Sequence, residues 1–468
     1  MKIKLGLENL SPDKVAEYCL GNLVGDGIEN KIEYVCTDSR EVDDKTLFIV
    51  TVGERVDGHS FIVSAMEKGC KSFLCQYVPE GIDTTGCTFV AVPDSVAAIS
   101  LLAKGYRGSL AIKNIAITGS VGKTTTKELV SSVIRQRYAA YNTDGNFNSV
   151  IGMPLSLMEA PSDAEMGIFE MGMSGFGEIH SMSTCATPKL AIVTNIGSSH
   201  LEYLKTRENI CRAKLEIADG LVSGGYLLLN GDEPLLKDAR GITGRDDINY
   251  VYVSIGECEY ADYRAVNIRL FEDHSLFDIE ADGKTVYDVR VDIPGIHIVF
   301  NSLMAYAAAS LSGLSEEEIR RGILSYVPCG NRQNIYVKSG VRIIADCYNA
   351  APESMRAALG VLSTFSGRRI AVLGDMLELG EDSDRMHREI GEFLSGRADI
   401  LFAYGENAKN IADGAKRAGI SAIYHFEKSD ADSLTDKLKY VLREGDTVLF
   451  KGSRAMRLEA IIEKLEIR

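Results

Sequence analysis

Short apolar runs separated by stretches of helical spacing recur along the whole chain. In the first hundred residues TLFIVTV, SFLCQYV and CTFVAVP alternate with helix-like segments, which predicts a small α/β unit. KGYRGSLAIK, Lys104–Lys113, is Gly-rich and polar before it enters a strand, and marks a boundary. Beyond it IAIT, MGIFEM, LAIVTNI and YLLLN read as buried strands with helices between them, the pattern of a parallel sheet with crossover helices. Between Tyr250 and Pro294 the pattern changes. VYVSI, YRAVNIRLF, SLFDIEA and KTVYDVRVDI alternate with period two, with a turn at Ala281–Gly283, and predict an antiparallel patch. A helix is expected from about Asn301 to Leu314. After a second boundary at VPCGNRQN, Val327–Asn334, the alternation restarts. VRIIADCY, RRIAVLG, ILFAYG, SAIYHF and DTVLFKGS are each followed by a helical stretch, the first from Pro352, which predicts a doubly wound, Rossmann-like unit. The expectation is an α/β protein of three domains, at 1–106, 107–327 and 328–468.

Composition changes this picture little. At 468 residues the chain is too long for one core, which agrees with several domains. Its net charge of −15 argues against a nucleic-acid binder, whose affinity rests on a basic surface. A local anion site is still allowed. The ten cysteines are irregularly spaced with no Cys-x-x-Cys pair, as expected of free thiols in a reducing compartment. MKIKLGLENLSPDKV has no apolar run of signal-peptide length, and no stretch reaches the roughly 20 apolar residues of a membrane span. A cytoplasmic protein without membrane insertion is expected.

The candidate chemistry starts at NIAITGSVGKTTTKELV, Asn114–Val130. A strand, Ile115–Thr118, runs into Gly119, Ser120, Val121 and Gly122, and a helix opens at Lys123, Thr124 and Thr125. Glycines let backbone N–H groups approach a ligand, and a helix N-terminus adds free donors and a positive dipole end. A lysine there can reach β- and γ-phosphates, and the Thr124 hydroxyl can sit on a magnesium ion. The pattern is Gly-x-x-Gly-Lys-Thr, shorter than the full P-loop, because Ile117 stands where the longer pattern has its first glycine. A triphosphate carries more charge than one lysine offsets, at about 4 kcal/mol per unit pair at 4 Å in an effective dielectric of about 20. Metal is therefore expected.

Three residues follow in strand-end or helical context: Glu170 in IFEMG, His200 in TNIGSSHLEYL and Lys214 in ENICRAKLEIA. Singly, each has an ordinary reading as a turn carboxylate, a structural imidazole or a surface lysine. Their order after the glycine loop makes them a metal constellation, because open α/β sheets bind ligands at the carboxyl ends of their strands. Magnesium prefers oxygen, so the histidine points to a second, less ordinary site.

These residues, with TDSR at Thr37–Arg40, GERVDGHSFI, GNFNSVIGMPLSL, FEMGMSGFGEI, DCYNAAPESM, RRIAVLGDMLELG and LFKGSRAMRLE, resemble the Mur ligases over nearly the whole chain. LGDMLELG is similar to the branch of that family that adds D-alanyl-D-alanine. The resemblance implies an ATP-dependent carbon–nitrogen ligase that joins UDP-N-acetylmuramoyl-tripeptide to D-alanyl-D-alanine in peptidoglycan precursor synthesis, with ADP and phosphate released. It implies that Gly119–Thr125 hold ATP phosphates and that Thr124 and Glu170 hold one Mg²⁺. His200 and a carbamylated Lys214 would serve a second Mg²⁺. Lys123, His200 and Lys214 would carry the catalysis, with Asn301 near adenine, Arg332 near the γ-phosphate and Asp346 at the ribose. Ser39, Arg40, Asp57 and His59 would lie in the domain holding the UDP group, with the dipeptide on the C-terminal domain and a monomer expected.

Several positions depart from the family's pattern: Ser149 after Asn148, Ile298 after His297, Ala351 after Ala350, and Val56 and Ser60 in GERVDGHSF. They leave room for a related ligase, either the diamino-acid adder or a polyglutamate type, or for a catalytically silent nucleotide-binding relative. The implied chemistry is attack of a carboxylate on the γ-phosphate, then of a neutral amine on the acyl phosphate. The C-terminal domain is expected to close over the ATP site.

Overall fold

The computed structural model describes residues 1–465 except Glu8, Asn9, Ile28, Glu54, Arg55, Asp144, Asn146, Glu257 and Asn331. Parts of three quoted motifs, Glu54 and Arg55 of GERVDGHSFI, Asn146 of GNFNSVIG and Asn331 of VPCGNRQN, therefore lie outside the described residues.

The first sheet holds β1 (Lys2–Lys4), β2 (Asn22–Gly25), β3 (Tyr34–Cys36), β4 (Thr46–Ile49), β5 (Ser72–Cys75) and β6 (Thr88–Ala91), in the order β1-β3-β4-β5-β6-β2. Its middle four strands are parallel and both edge strands antiparallel. The central sheet holds β7 (Lys113–Thr118), β8 (Ala140–Asn142), β9 (Met166–Glu170), β10 (Leu190–Val193), β11 (Tyr226–Asn230), β12 (Asn249–Ser254), β13 (Tyr263–Leu270), β14 (Ser275–Ala281) and β15 (Lys284–Val291). Its order is β15-β14-β13-β12-β11-β10-β7-β9-β8. The third sheet holds β16 (Asn334–Lys338), β17 (Val341–Asp346), β18 (Arg369–Gly374), β19 (Ile400–Tyr404), β20 (Ala422–Phe426) and β21 (Thr447–Lys451), ordered β16-β17-β21-β18-β19-β20. It is parallel apart from the edge strand β16.

Two expectations need correction. VYVSI belongs to the parallel part of the central sheet, because β12 runs parallel to both β11 and β13, and only β13–β14–β15 are antiparallel. Alternation reports which face of a strand is covered, and carries no information on strand direction. The helix expected from Asn301 begins five residues earlier, spanning Ile296–Leu311 after Gly295 at φ 125°. The boundary segment from Lys104 takes in the end of the helix Ser95–Arg107 before it enters β7.

The core packs against both faces of β7, β9 and β10, the strands that carry the site. Ile115 and Ile117 point to one side with Leu129, Val130, Val133 and Ile134 of the helix Lys123–Ile134 and Val299 and Leu303 of Ile296–Leu311. Each such side chain contributes about 1.5–3 kcal/mol on burial, which anchors the helix that follows β7. Ala116, Phe169 and Val193 point to the other side, into a cluster continuous with Val35, Leu47, Ile49 and Leu74 of the first sheet. Among the described residues, no helix is long and apolar enough to cross a membrane.

Candidate active site

Adjacent parallel strands β9, β7 and β10 bring their carboxyl ends into register, with Ile117 opposite Glu170 and Thr118 opposite Val193. The loops that leave them form the site. After Thr118 the chain turns at Gly119, whose φ is 152°, and a Cβ there would lie 1.9 Å from Thr194 Oγ1. Gly122, at φ 83°, starts the helix with no side-chain cap, so its first N–H groups face outward as free donors. The Asn195 amide oxygen accepts hydrogen bonds from the Ser120 and Val121 N–H groups at 3.0 and 2.9 Å, and Thr194 Oγ1 donates to the Val121 carbonyl at 2.6 Å. Lys123 Nζ folds back to donate to the carbonyls of Gly119 (2.7 Å) and Ser120 (3.3 Å). Burial lowers its pKa, the Glu170 carboxylate opposes the shift and the Arg332 charge adds to it.

Glu170 is buried at the tip of β9. Its two oxygens accept from Thr124 Oγ1 at 2.6 Å and from Asn148 Nδ2 at 2.7 Å. A hydroxyl against one carboxylate is a hard oxygen pair. It fits Mg²⁺, which takes few protein ligands and fills its octahedron with water and substrate phosphate oxygens. Among the described residues no group of three or more His, Cys, Asp or Glu side chains could hold a metal alone.

His200 sits at φ 67° with Nδ1 2.9 Å from Glu378 Oε2, an ion-pair contact without hydrogen-bond alignment. The imidazole lowers the Glu378 pKa. Lys214 is buried on the helix Arg207–Leu215, and its pKa is driven well below the ordinary lysine value, first by burial and then by the Lys123 charge.

A cavity of about 450 Å³ lies between the central and third sheets. Ser120 through Thr125, Glu170, His200 and Asn301 border it from one side, Arg332 and Asp346 from the other. The departures Ser149, Ile298 and Ala351 also border it, whereas Gly119 and Lys214 stand behind its wall. Asp346, at the end of β17, accepts a 2.6 Å hydrogen bond from Lys451 at the end of β21, and Lys451 also donates to the Asn349 carbonyl at 3.1 Å. The Arg332 guanidinium lies 4.0 Å over the Tyr348 ring. Asn301 accepts from Thr126 Oγ1 at 3.3 Å beside the Gly122 turn.

The four candidates on the first sheet do not reach this cavity. Arg40 is exposed and bidentate to Asp38, and the Ser39 carbonyl accepts from Lys68. Asp57 caps the turn Gly58–Phe61 and accepts from the Tyr77 hydroxyl. His59 is buried, stacked on Tyr77, with Nδ1 on Asp57 and Nε2 accepting from the Gln76 N–H, so both ring nitrogens are committed inside the protein.

Sequence reasoning left Asn195, the Asn148 contact, Lys451 and Tyr348 unassigned. All four lie inside or beside quoted segments, in the loops after β8, β10 and β17 and at the end of β21, whose convergence on one cavity was the available signal.

Residues 31–107 match the family described as Mur ligase family, catalytic domain; 117–309 match Mur ligase middle domain; and 331–454 match Mur ligase, glutamate ligase domain. The UDP-N-acetylmuramoyl-tripeptide–D-alanyl-D-alanine ligase of Bacillus subtilis (strain 168) is 37% identical over 463 residues, covering 96% of this chain and 97% of its own length. A crystal structure of MurF from Acinetobacter baumannii superposes with a TM-score of 0.89 at 28% identity, over 98% of this chain and 99% of that one. A structure of MurF ligase from Thermotoga maritima in complex with ADP gives 0.81 at 28% identity, over 92% and 96%. With its glycine loop, strand-tip carboxylate and three matched segments, this chain belongs to the Mur ligase family.

Proposed function

We propose that the chain joins UDP-N-acetylmuramoyl-tripeptide to D-alanyl-D-alanine through a peptide bond, with ATP converted to ADP and phosphate, as a cytoplasmic step of peptidoglycan precursor synthesis. The observation that carries this reading is the pairing of Thr124, Glu170 and Asn148 beneath Lys123, in a cavity whose far wall is Arg332, Asp346 and Lys451.

The tripeptide's terminal carboxylate attacks the γ-phosphorus, ADP leaves, and an acyl phosphate forms. The neutral amine of the dipeptide adds to that carbonyl, and the tetrahedral intermediate collapses as its C–O bond to phosphate breaks, the leaving phosphate carrying off the amine proton. The physical obstacle is the approach of one anion to another. Lys123 turns from the loop carbonyls to the β- and γ-phosphates, the free N–H groups after Gly122 hold phosphate oxygens, and Arg332 neutralises the γ-phosphate from the opposite wall. Asn301 and Asp346, which both line the cavity, would meet the adenine and the ribose respectively. When bound, Mg²⁺ at Thr124 and Glu170, and a second ion at His200 and carbamylated Lys214, would supply charge neutralisation at the phosphoryl oxygens. The buried Lys214 amine, whose pKa burial and then the Lys123 charge push down, suits carbamylation, because only the neutral amine adds to CO₂ and the product is an oxygen ligand.

On the first sheet, Ser39, Arg40 and Asp57 are proposed to face the UDP group, with His59 holding the Asp57 turn in place. The proposed division places the UDP end at 1–106, ATP at 107–327 and the dipeptide at 328–468.

ADP release with UDP-N-acetylmuramoyl-tripeptide, with and without D-alanyl-D-alanine, tests the reading. Sustained turnover only with both substrates, with the ligated pentapeptide product in the mass spectrum, is the expected result. No turnover with both, or turnover indifferent to the dipeptide, would overturn it.

A further inference from the structure

The helix Pro352–Leu362 of the third sheet's domain points its second residue, Glu353, at the loop that follows β10. Glu353 Oε1 accepts two hydrogen bonds from one residue, Ser198, at 3.0 Å from its N–H and 2.9 Å from its hydroxyl. Among the described residues the other oxygen, Oε2, is buried without a hydrogen-bond partner. The carboxylate packs flat on Gly197: a Cβ at that position would meet Glu353 Cδ at 2.9 Å and Ser120 Cβ at 3.0 Å. One step further, the Gly197 N–H donates to Ser120 Oγ at 2.9 Å, inside the phosphate loop. The same short loop supplies Asn195, whose amide oxygen holds the Ser120 and Val121 N–H groups. A carboxylate of one domain is thus linked through one loop to the backbone that meets the nucleotide in another.

We propose that Glu353 is a positioning residue for phosphoryl transfer: it holds the loop 195–198, and through Gly197 and Asn195 the phosphate loop, in the reactive arrangement only when the C-terminal domain is docked. The inference rests on the proposed function, in which Gly119–Thr125 hold ATP. The device ties the competence of the loop to closure, so that ATP bound without the second domain in place meets a loop that is not fully ordered. Domain docking does not depend on this contact alone. The Ser366 N–H and hydroxyl donate to Glu272 at 2.9 and 2.8 Å, and His200 faces Glu378. Removing the Glu353 carboxylate should therefore leave the domains together and loosen the loop.

The test compares the full-length wild type with Glu353→Ala, Glu353→Gln and Ser198→Ala. With both substrates present, E353A should lower kcat about 10- to 100-fold, the scale of a misplaced reacting group, with KM for ATP within about threefold of wild type. E353Q keeps an oxygen able to accept both Ser198 donors and should stay within about threefold of wild type, because the role needs an acceptor rather than a charge. S198A keeps the backbone donor and should fall between them. Hydrogen exchange gives a readout independent of catalysis. In E353A, amides of a peptide covering 119–124 should exchange about tenfold faster while those of β7 stay unchanged, since a loop tied by fewer hydrogen bonds opens more readily. Wild-type kcat and unchanged exchange in E353A would overturn the inference, as would equal loss in E353A and E353Q. Absence of turnover in the wild type would instead count against the function proposed above, and the exchange comparison would still decide the role of Glu353.

Discussion

Gly119→Ala is the substitution whose outcome can be worked out most fully from the geometry. The added methyl would lie 1.9 Å from Thr194 Oγ1, 3.1 Å from its Cβ and 3.2 Å from its backbone nitrogen. Thr194 is buried beside the end of β10, and its hydroxyl already donates to the Val121 carbonyl at 2.6 Å. Relief requires either rotating the hydroxyl away or moving the loop off the strand. Overpacking of this kind costs about 1–3 kcal/mol. The lost hydrogen bond adds about 1 kcal/mol, and an alanine held at φ 152° adds about 1–3 kcal/mol of backbone strain. A total of about 3–7 kcal/mol corresponds to a fall in the unfolding temperature on the order of 10 °C for a unit of this size. Thermal unfolding and KM for ATP, measured together, should show that fall and an increase in KM of at least about tenfold, since a loop displaced by a fraction of an ångström no longer presents its donors. The double variant G119A/T194A removes the closest contact and should recover about half of the lost stability. A G119A enzyme with wild-type stability and KM would refute the reasoning, as would a double variant no better than the single one.

Other consequences follow from the same geometry. Glu170→Gln places an amide donor against Thr124 or Asn148 and removes the charge proposed to face the metal, so kcat should fall about 10²- to 10³-fold and half-saturation by Mg²⁺ should rise; an unchanged Mg²⁺ titration would contradict this. Lys214→Ala should abolish most activity, with partial rescue by a short carboxylic acid, and full activity without rescue would rule out the carbamate. Since burial lowers the Lys214 pKa, the neutral amine appears at lower pH than in an ordinary lysine. Reactivation of CO₂-stripped enzyme by bicarbonate should rise with pH through the folded-state value, and a flat profile would contradict it. The sign for stability agrees: the unfolded chain binds the proton and the native state does not, so stability rises with pH between the folded value and about 10.4, and Lys214→Met should flatten that slope in urea unfolding. Lys451→Met leaves Asp346 without its 2.6 Å partner, and KM for ATP should rise about tenfold, a loss of about 1.4 kcal/mol; an unchanged KM would show that Asp346 needs no such support.

The glycine loop, Glu170 and His200 are legible in the sequence because each ends a strand or follows one closely and carries a residue type its chemistry demands. Parallel β7, β9 and β10 then have to bring them to one edge, and they do. Lys214 is legible only through family resemblance, since a lysine between charged neighbours on a helix reads as surface, whereas the helix turns it fully inward. Lys451 and Glu353 are opaque for another reason. Their roles depend on strand order in the third sheet and on how that domain meets the central one, and local pattern encodes neither. Strand direction is equally hidden at β12, where alternation exposes the covered face and nothing else. His59 shows the reverse case, a residue type suited to binding whose nitrogens are both used inside the protein, Nδ1 on Asp57 of its own turn and Nε2 on the Gln76 N–H after β5.

The central claim is that Thr124 and Glu170 share a metal with a nucleotide held by the loop at 119–125. A crystal structure of the chain grown with Mg²⁺ and a non-hydrolysable ATP analogue tests it most directly. The account predicts an octahedral ion about 2.1 Å from Thr124 Oγ1 and a Glu170 oxygen, with Lys123 Nζ swung from the Gly119 carbonyl onto the β- and γ-phosphates. Phosphates bound elsewhere, or an ion coordinated without Glu170, would contradict it.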